Sequence, residues 1–225
     1  MRRLFSLLLL PLLVLSAGAA ETKYVALTFD DGPSGRFTER LLDGLYDRGA
    51  KATFLLCGYR IEQYPELAQR IFAEGHEIGL HGYSHKTMKG MSRRAIAQEL
   101  MDTEALLPEG CHPVFLRPPG GFLSDPVVQV AQARGLPILK WSVDPRDWAT
   151  NDTEAIEAAV LKRIRDGDVV LLHDLSDSSV DAALAIVDQL LEEDFEFVTV
   201  SELVRLRNAK LVPGREYTAF PQTAE

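Results

Sequence analysis

Short apolar runs alternate with longer segments of helical periodicity from residue 22 onward. The apolar runs have the length of buried strands, and they are Tyr24–Phe29, Ala52–Cys57, Glu77–Leu80, Val114–Arg117, Leu136–Val143, Asp168–His173 and Glu196–Val200. The segments between them predict helices at Thr38–Arg48, Ile61–Glu74, Ser92–Leu107, Asp125–Arg134, Asp152–Arg165 and Val180–Glu193. This alternation predicts a single α/β domain in which about seven parallel strands form a closed or nearly closed barrel.

Ionisable side chains recur where these predicted strands end. Asp30 and Asp31 follow the first apolar run, while His81, Arg117 and His173 end or follow three others. In a parallel α/β fold the carboxyl ends of the strands lie on one face, which is where active sites are built. We therefore expect these side chains to meet in one cleft. Their chemical types are those needed to hold a divalent metal and to move protons.

Two aspartates and two histidines indicate a metal centre. The adjacent carboxylates of Asp30 and Asp31 repel one another unless a cation compensates them, and a metal on one would leave the other free as a base. His81 and His85 are four residues apart, a spacing that lets two imidazoles reach one ion. Two histidines and one aspartate leave a position open for water, as catalytic sites do. Asp-Gly-Pro is also a good turn sequence, so a solvated turn at Asp30 and Asp31 is the alternative.

Arg117 and His173 are candidates for supporting roles. Arg117 opens the stiff segment Arg-Pro-Pro-Gly-Gly, which can aim its guanidinium at a carboxylate; the alternative is a surface arginine on a proline turn. His173 ends an apolar run, so a core histidine is the default interpretation. Asp147 nevertheless offers a carboxylate that would orient His173 and favour its charged form. Trp148 is expected to cover the site as an apolar wall.

The first 20 residues have the pattern of a secretory signal peptide. Arg2 and Arg3 precede the apolar run Leu4–Leu15, and small residues follow at 16–20. The run is shorter than the roughly 20 residues that a membrane-spanning helix needs, which disfavours a membrane anchor. We expect cleavage after Ala19 or Ala20 and a secreted protein without a stable membrane anchor.

Composition and charge describe a soluble globular chain. Of its 225 residues, 46% are hydrophobic and 25% are charged. The net charge is −9 and there is no run of Lys or Arg, which makes nucleic acid a poor partner. We expect a monomer with one domain over residues 21–210 and a poorly ordered C-terminal tail over residues 211–225.

The chain has two cysteines, Cys57 and Cys111. A disulfide is one possibility in an oxidising compartment. Cys57 lies near the end of one predicted strand and Cys111 before the start of another, which places them at opposite ends of a parallel sheet. Since a disulfide requires Cα atoms within about 7 Å, two free thiols are the other possibility and the favoured one.

Five short motifs occur in the order found in one enzyme family. They are Thr28-Phe29-Asp30-Asp31-Gly32-Pro33, His81-Gly82-Tyr83-Ser84-His85, Arg117-Pro118-Pro119, Asp144-Pro145-Arg146-Asp147-Trp148 and Leu171-Leu172-His173. With them, residues 25–204 resemble the polysaccharide deacetylases that have a NodB homology domain, carbohydrate esterase family 4. The resemblance implies a distorted (β/α) barrel that removes acetyl groups from chitin, peptidoglycan, xylan or related polymers. It also implies a divalent metal, with Zn²⁺ expected and Co²⁺ as the alternative.

The resemblance assigns the metal ligands and the base. It makes Asp31, His81 and His85 the ligands, and it makes Asp30 the general base that takes a proton from water. Arg117 is then expected to orient Asp30 and adjust its reactivity.

The remaining roles concern the acid and the substrate pocket. The resemblance makes His173 the general acid, with Asp147 adjusting its proton affinity. Trp148 and Leu171 are expected to line the acetyl pocket. The backbone N–H of Gly120 is expected to bind the oxyanion.

The chain departs from the family pattern at two glycines. Gly82 stands where the family usually has Ser or Thr, whose hydroxyl braces the loop between the two histidines. Gly120 stands where the family often has an aromatic residue, so we expect an aromatic wall to be lost there. Both departures affect substrate preference more than chemistry.

These inferences predict a secreted, metal-dependent deacetylase. Its substrate would be an N-acetylated cell-wall or extracellular polysaccharide, peptidoglycan or chitin-like, and acetate would be released. The alternatives are an acetylxylan-type O-deacetylase and a catalytically inactive barrel that binds carbohydrate.

Overall fold

A computed structural model describes residues 22–222. Its strands are β1 Lys23–Asp30, β2 Ala52–Leu56, β3 Glu77–Leu80, β4 Ile138–Leu139, β5 Val169–His173, β6 Phe195–Phe197 and β7 Glu216–Tyr217. The main sheet has the order β3-β2-β1-β5, with β6 paired to the start of β1, and β4 pairs with β7. All of these strand pairs are parallel. The α/β class and the parallel sheet predicted from the sequence are confirmed.

Single parallel bridges continue the sheet beyond its regular ladders. Leu116 pairs with Leu80 of β3 on one side and with Ile138 of β4 on the other, and Val143 pairs with Val170 of β5. These bridges run along the side of the sheet where regular ladders are absent. The sheet is therefore a distorted barrel with regular strands over only part of its circumference.

Helices separate the strands and cover the sheet. They are α1 Arg36–Asp47, α2 Gly58–Gln63, α3 Pro65–Ala73, α4 Arg93–Glu104, α5 Asp125–Ala133, α6 Thr153–Leu161, α7 Asp177–Glu192 and α8 Val200–Leu206. Short 3₁₀ turns lie at Pro119–Gly121 and Asp147–Ala149. Four helices begin after a side chain that accepts an N–H bond from the first turn, which satisfies an otherwise unpaired donor; the capping residues are Ser92, Asp152, Ser176 and Thr199.

The two faces of the central strand β1 pack against different surroundings. Leu27 and Phe29 are fully buried in the apolar cluster that the sheet shares with its covering helices. Side chains alternate along a strand, so Thr28 and Asp30 point to the opposite face. There both of them contact the guanidinium of Arg117. The alternation of β1 therefore directs a carboxylate away from the apolar cluster and toward a cation.

Two predicted strands are shorter than expected. Within Val114–Arg117 only Leu116 makes sheet pairings, and within Leu136–Val143 only Ile138–Leu139 forms a strand. Prolines flank or interrupt both segments, and proline has no N–H to donate to a ladder. These segments therefore pair with the sheet at only one or two residues and form no longer strand.

Two other boundaries differ from the prediction. The predicted strand Glu196–Val200 ends early because Thr199 caps α8, which begins at the next residue. The predicted helix Ile61–Glu74 is divided into α2 and α3 at Pro65, which occupies the first position of α3. Proline is favoured at that position but cannot continue a helix.

The predicted signal peptide and the predicted C-terminal tail lie at the two ends of the chain. The predicted signal peptide, residues 1–20, lies outside the described residues. At the other end, in the segment for which we expect little order, β7 pairs with β4 and Phe220 is buried. Among residues 22–222, no helix has the length and apolar character needed to cross a membrane.

Cys57 and Cys111 are free thiols in the structure. Burial raises the pKa of both, that of Cys111 to about 11. The favoured interpretation of the cysteines agrees with this arrangement.

Neighbouring leucines near the end of α7 give a matched test of the packing. Leu190 is fully buried, whereas Leu191 is 40% exposed. We predict that Leu190→Ala lowers the free energy of unfolding by about 2–5 kcal/mol, because it leaves a cavity among packed side chains. Leu191→Ala should cost about 0.5 kcal/mol. Denaturant unfolding measures both, and equal losses would contradict the packing described for α7.

Candidate active site

A buried ion pair lies at the end of β1. Nη1 of Arg117 donates to Oδ1 of Asp30 at 2.6 Å and to Oγ1 of Thr28 at 2.9 Å. The same guanidinium donates to the carbonyl oxygens of Leu139 and Lys140 at 3.1 and 2.8 Å. Arg117 is fully buried and Asp30 is 4% exposed. A buried charge with this many acceptors is fixed in position, and it fixes the orientation of the Asp30 carboxylate.

The main chain of Arg117 orients the first histidine. Nδ1 of His81 lies 2.7 Å from the carbonyl oxygen of Arg117. A proton on Nδ1 is therefore donated in a hydrogen bond to this oxygen, which leaves Nε2 as the basic nitrogen. Nε2 of His81 lies 3.2 Å from Oδ1 of Asp31 and 3.8 Å from Oδ2 of Asp30. The imidazole therefore faces both carboxylates with the nitrogen that ligates metals.

Three potential ligand atoms converge beside this pair. Nε2 of His85 lies 2.9 Å from Oδ1 of Asp31, and ligand atoms of Asp31, His81 and His85 all lie within 4.8 Å of one another. Oδ1 of Asp31 is buried, and although both imidazole nitrogens lie near it, no donor within residues 22–222 meets it in hydrogen-bond geometry. Two imidazole nitrogens and a carboxylate oxygen facing one point form a donor set that suits a divalent metal.

The electrostatics and the backbone conformation of Asp31, His81 and His85 are consistent with a metal site. Burial opposes the charge of Asp31, but its interactions with His81 and His85 outweigh this effect and hold the pKa of Asp31 well below its usual range. Asp31 and His85 have φ values of 71° and 56°. Non-glycine residues in this left-handed region carry strain, which proteins tend to retain at functional sites.

The loop between the two histidines is held from α4. The carboxylate of Glu99 accepts the backbone N–H groups of Tyr83 and Ser84 at 2.8 and 2.7 Å, and the Ser84 hydroxyl at 2.7 Å. Gly82 has a φ of 84°, a conformation that Ser or Thr would adopt only with strain. Glu99 and Ser84 therefore supply the bracing that a hydroxyl at position 82 would otherwise give. The sequence pattern did not reveal Glu99, which looks like an ordinary surface residue of a helix.

His173 and Asp147 form a second ion pair beside the cavity, in addition to that of Arg117 with Asp30. Oδ1 of Asp147 lies 2.8 Å from Nδ1 of His173, and Oδ2 accepts the backbone N–H of His173 at 2.8 Å. Burial lowers the pKa of His173, but the contact with Asp147 more than offsets this and raises it to about 9. The pairing expected from the sequence is therefore present, and His173 is an imidazolium at neutral pH.

A cavity of about 460 Å³ joins these groups. Eight of the ten residues singled out from the sequence line it, namely Asp30, Asp31, His81, His85, Gly120, Trp148, Leu171 and His173. The other two, Arg117 and Asp147, lie behind the lining and contact Asp30 and His173. The structure thus brings all ten together. The volume lies in the range of small-ligand sites.

Phe122 corrects the expectation of a lost aromatic wall. Gly120 has a φ of 67°, and a β-carbon there would lie 2.8 Å from the Phe122 ring. The ring therefore occupies the space that a side chain at position 120 would take, and it lines the cavity while remaining 55% exposed. Trp141 and Asp144 also line the cavity. An aromatic residue two positions after Gly120 was the available sequence signal for this wall.

Comparison with known proteins agrees with the motifs and the geometry. The family model for polysaccharide deacetylases matches residues 17–139. A peptidoglycan-N-acetylglucosamine deacetylase of Bacillus cereus is 38% identical over 192 residues, which cover 83% of this chain and 90% of the relative. A chitooligosaccharide deacetylase of Sinorhizobium fredii is 37% identical over 67% of this chain and 71% of its own length.

The solved structures include a family 4 acetyl xylan esterase from Clostridium thermocellum in complex with a cobalt ion. It is 34% identical, has a TM-score of 0.82, and the match covers 88% of this chain and 100% of that one. These relatives are named for three different substrates. The chain belongs to the polysaccharide deacetylase family, carbohydrate esterase family 4, and is a hydrolase of the class that acts on the amide bonds of N-acetyl groups.

Proposed function

We propose that the protein is a secreted, metal-dependent deacetylase that hydrolyses N-acetyl groups of a cell-wall or extracellular polysaccharide, peptidoglycan or chitin-like, and releases acetate. The observation that supports this most is the convergence of Asp31, His81 and His85 between a buried carboxylate and an imidazolium, Asp30 and His173. A ligand set flanked by a base and an acid is what amide hydrolysis needs, since one proton must leave water and one must reach the amine.

Asp31, His81 and His85 are the residues that would hold the metal. Two histidines and one carboxylate suit Zn²⁺ and leave a position for substrate or water, and Co²⁺ accepts similar ligands. A metal bound there would supply a Lewis acid for the acetyl carbonyl and for the attacking water. The cobalt complex of the acetyl xylan esterase supports a divalent ion in this fold.

Asp30 is proposed as the general base. Arg117 holds its Oδ1, while its Oδ2 faces Nε2 of His81. The carboxylate is therefore fixed beside the ligand cluster without being one of the clustered ligand groups. From this position it would accept a proton from the attacking water as the oxygen bonds to the acetyl carbon.

His173 is proposed as the general acid. Asp147 occupies Nδ1, so Nε2 is the nitrogen available to the cavity. A pKa of about 9 keeps the ring protonated at neutral pH. It would give a proton to the amine nitrogen as the C–N bond breaks, and the products are acetate and an amino sugar.

The walls of the cavity would place the acetyl group. Leu171 and Trp148 are proposed to contact the acetyl methyl, and the N–H of Gly120 to donate to the oxyanion. An O-deacetylase would use the same groups, and the similarity to an acetyl xylan esterase favours it as the second candidate. Acetate release from chitin oligomers, peptidoglycan and acetylxylan, compared side by side, separates these functions from each other and from an inactive carbohydrate-binding barrel.

Adjacent Asp→Asn changes test the division of roles in the first motif. We predict that Asp31→Asn loses both bound metal and activity, because it removes a ligand. Asp30→Asn should keep the metal and lose on the order of 10²–10⁴ in rate, because it removes a base. Elemental analysis of dialysed protein and acetate release measure the two effects. Equal metal loss in both variants, or full activity after chelation, would show that the roles are assigned wrongly.

The pH–rate profile tests the pairing of His173 with Asp147. The wild-type acid should remain protonated up to about pH 9. In Asp147→Asn the contact that raises the pKa of His173 is lost while burial still lowers it, so the alkaline limb should move down by about one to two pH units. Metal content should not change. An unmoved alkaline limb with activity retained would return His173 to the role of a core histidine.

Substrates with different leaving groups test the acid itself. We predict that His173→Ala loses most activity on amides, whose amine leaves only after it gains a proton. Activated esters need little protonation of the leaving group, so the loss on them should be smaller. Equal losses on both kinds of substrate would argue against proton donation by His173.

A further inference from the structure

Each aromatic ring that lines the cavity has a cation against it. The rings are Phe122, Trp141 and Trp148. Trp141 is contacted by Arg117 and Lys140, and both cations are engaged elsewhere. Arg117 holds Asp30, and Nζ of Lys140 donates to the carbonyl oxygen of Gly121 at 2.7 Å. Arg117 and Lys140 are therefore held by other groups of the protein. The cations beside Phe122 and Trp148 differ in this respect.

Those two cations are Lys89 and Arg146. Nζ of Lys89 lies 6.0 Å from the centroid of the Phe122 ring, and the Arg146 guanidinium lies 5.1 Å from the Trp148 ring. Both cations are exposed. Within residues 22–222, neither has a carboxylate within 4.0 Å of its side-chain nitrogens. They are uncommitted positive charges beside rings that line the site.

The local charge contrasts with that of the whole chain. The net charge is −9, yet the segment 86–94 that follows His85 contains Lys86, Lys89, Arg93 and Arg94 and no acidic residue. Asp144 does line the cavity, but its Oδ1 accepts the backbone N–H of Arg146 at 2.8 Å. The guanidinium of Arg146 is left free by that contact. An acidic protein thus keeps two cations without a carboxylate partner, Lys89 and Arg146, beside rings that line its cavity.

Exposed aromatic rings beside free cations can recognise two features of one ligand. The rings of Phe122 and Trp148 are 55% and 61% exposed and present flat apolar faces on which a sugar ring can stack. The neighbouring cation can pair with an anion that the sugar carries. A neutral glycan would use only the first feature.

We propose that the pairs Lys89–Phe122 and Arg146–Trp148 are substrate-positioning subsites that select a glycan with carboxylate groups on its sugars over a neutral one. This inference rests on the proposed deacetylase function and specifies its substrate class. Of the two polymers considered above, it favours peptidoglycan, whose muramic acid residues carry a free carboxylate wherever no peptide is attached, over chitin, which carries none.

The test compares two tetrasaccharides of equal length. One is the neutral chitin tetramer, and the other is a peptide-free peptidoglycan tetramer, which excludes carboxylates that belong to a peptide. The quantity measured is the ratio of kcat/KM on the charged tetramer to that on the neutral one. Lys89→Gln and Arg146→Gln should each lower this ratio about two- to fivefold, the range for exposed ion pairs. The change should lie in KM and not in kcat.

A matched control removes the same charge elsewhere. Lys162 is exposed directly after the end of α6 and does not line the cavity, so Lys162→Gln should leave the ratio at the wild-type value. Raising the salt concentration should lower the ratio in the wild type, because exposed charge pairs are screened. It should have less effect in the double variant Lys89→Gln/Arg146→Gln.

A binding measurement separates failure of this inference from failure of the proposed function. Retention on insoluble peptide-free peptidoglycan and on chitin is measured with Asp30→Asn protein, with and without the two charge removals, so that no turnover is needed. Weaker retention on peptidoglycan in the charge variants supports the inference. If the charge removals change neither the ratio of kcat/KM values nor the retention on peptidoglycan, the inference is wrong. If acetate is released from neither tetramer, the proposed function fails. The retention measurement still shows whether Lys89 and Arg146 contribute to binding of the charged glycan.

Discussion

The buried guanidinium of Arg117 is the constraint on which the site depends. It is fully enclosed and donates to four oxygens, one of which belongs to Asp30. Breaking such a pair by removing one partner typically costs about 3–5 kcal/mol, because the other charge stays buried and uncompensated. The carbonyl oxygen of the same residue accepts a hydrogen bond from Nδ1 of His81. One residue therefore sets both the direction of the Asp30 carboxylate and the nitrogen that His81 presents to Asp31.

This constraint gives the two adjacent carboxylates, Asp30 and Asp31, different surroundings. Asp30 is compensated by Arg117, whereas Oδ1 of Asp31 faces two imidazoles without a well-formed hydrogen bond to either. Asp147 gives His173 its own partner, which raises the pKa of the ring to about 9. Pairs of titratable groups whose environments separate their proton affinities are the pattern of acid–base catalysis. The site contains three such pairings, namely Asp30 with Arg117, Asp31 with the two imidazoles, and Asp147 with His173.

Much of the fold and the site follows from the sequence because parallel strands end on one face. The buried runs of β1 and β5 and the polar residues after them predicted which side chains would meet. Other features depend on geometry that periodicity does not encode. The segment around Leu116 touches the sheet at one residue because prolines flank it, and Val200 begins a helix because Thr199 caps it. The Phe122 wall depends on the left-handed backbone at Gly120, and Glu99 braces a loop from a different element.

The most direct test of the central claim is a crystal structure of the protein loaded with Co²⁺, with the ion located by its anomalous scattering. We predict an ion bound by Oδ1 of Asp31 and Nε2 of both His81 and His85, with Asp30 still paired to Arg117. An ion bound by Asp30, with its pairing to Arg117 broken, would contradict this assignment of ligands. So would an ion held elsewhere in the chain while the three proposed ligands remain free.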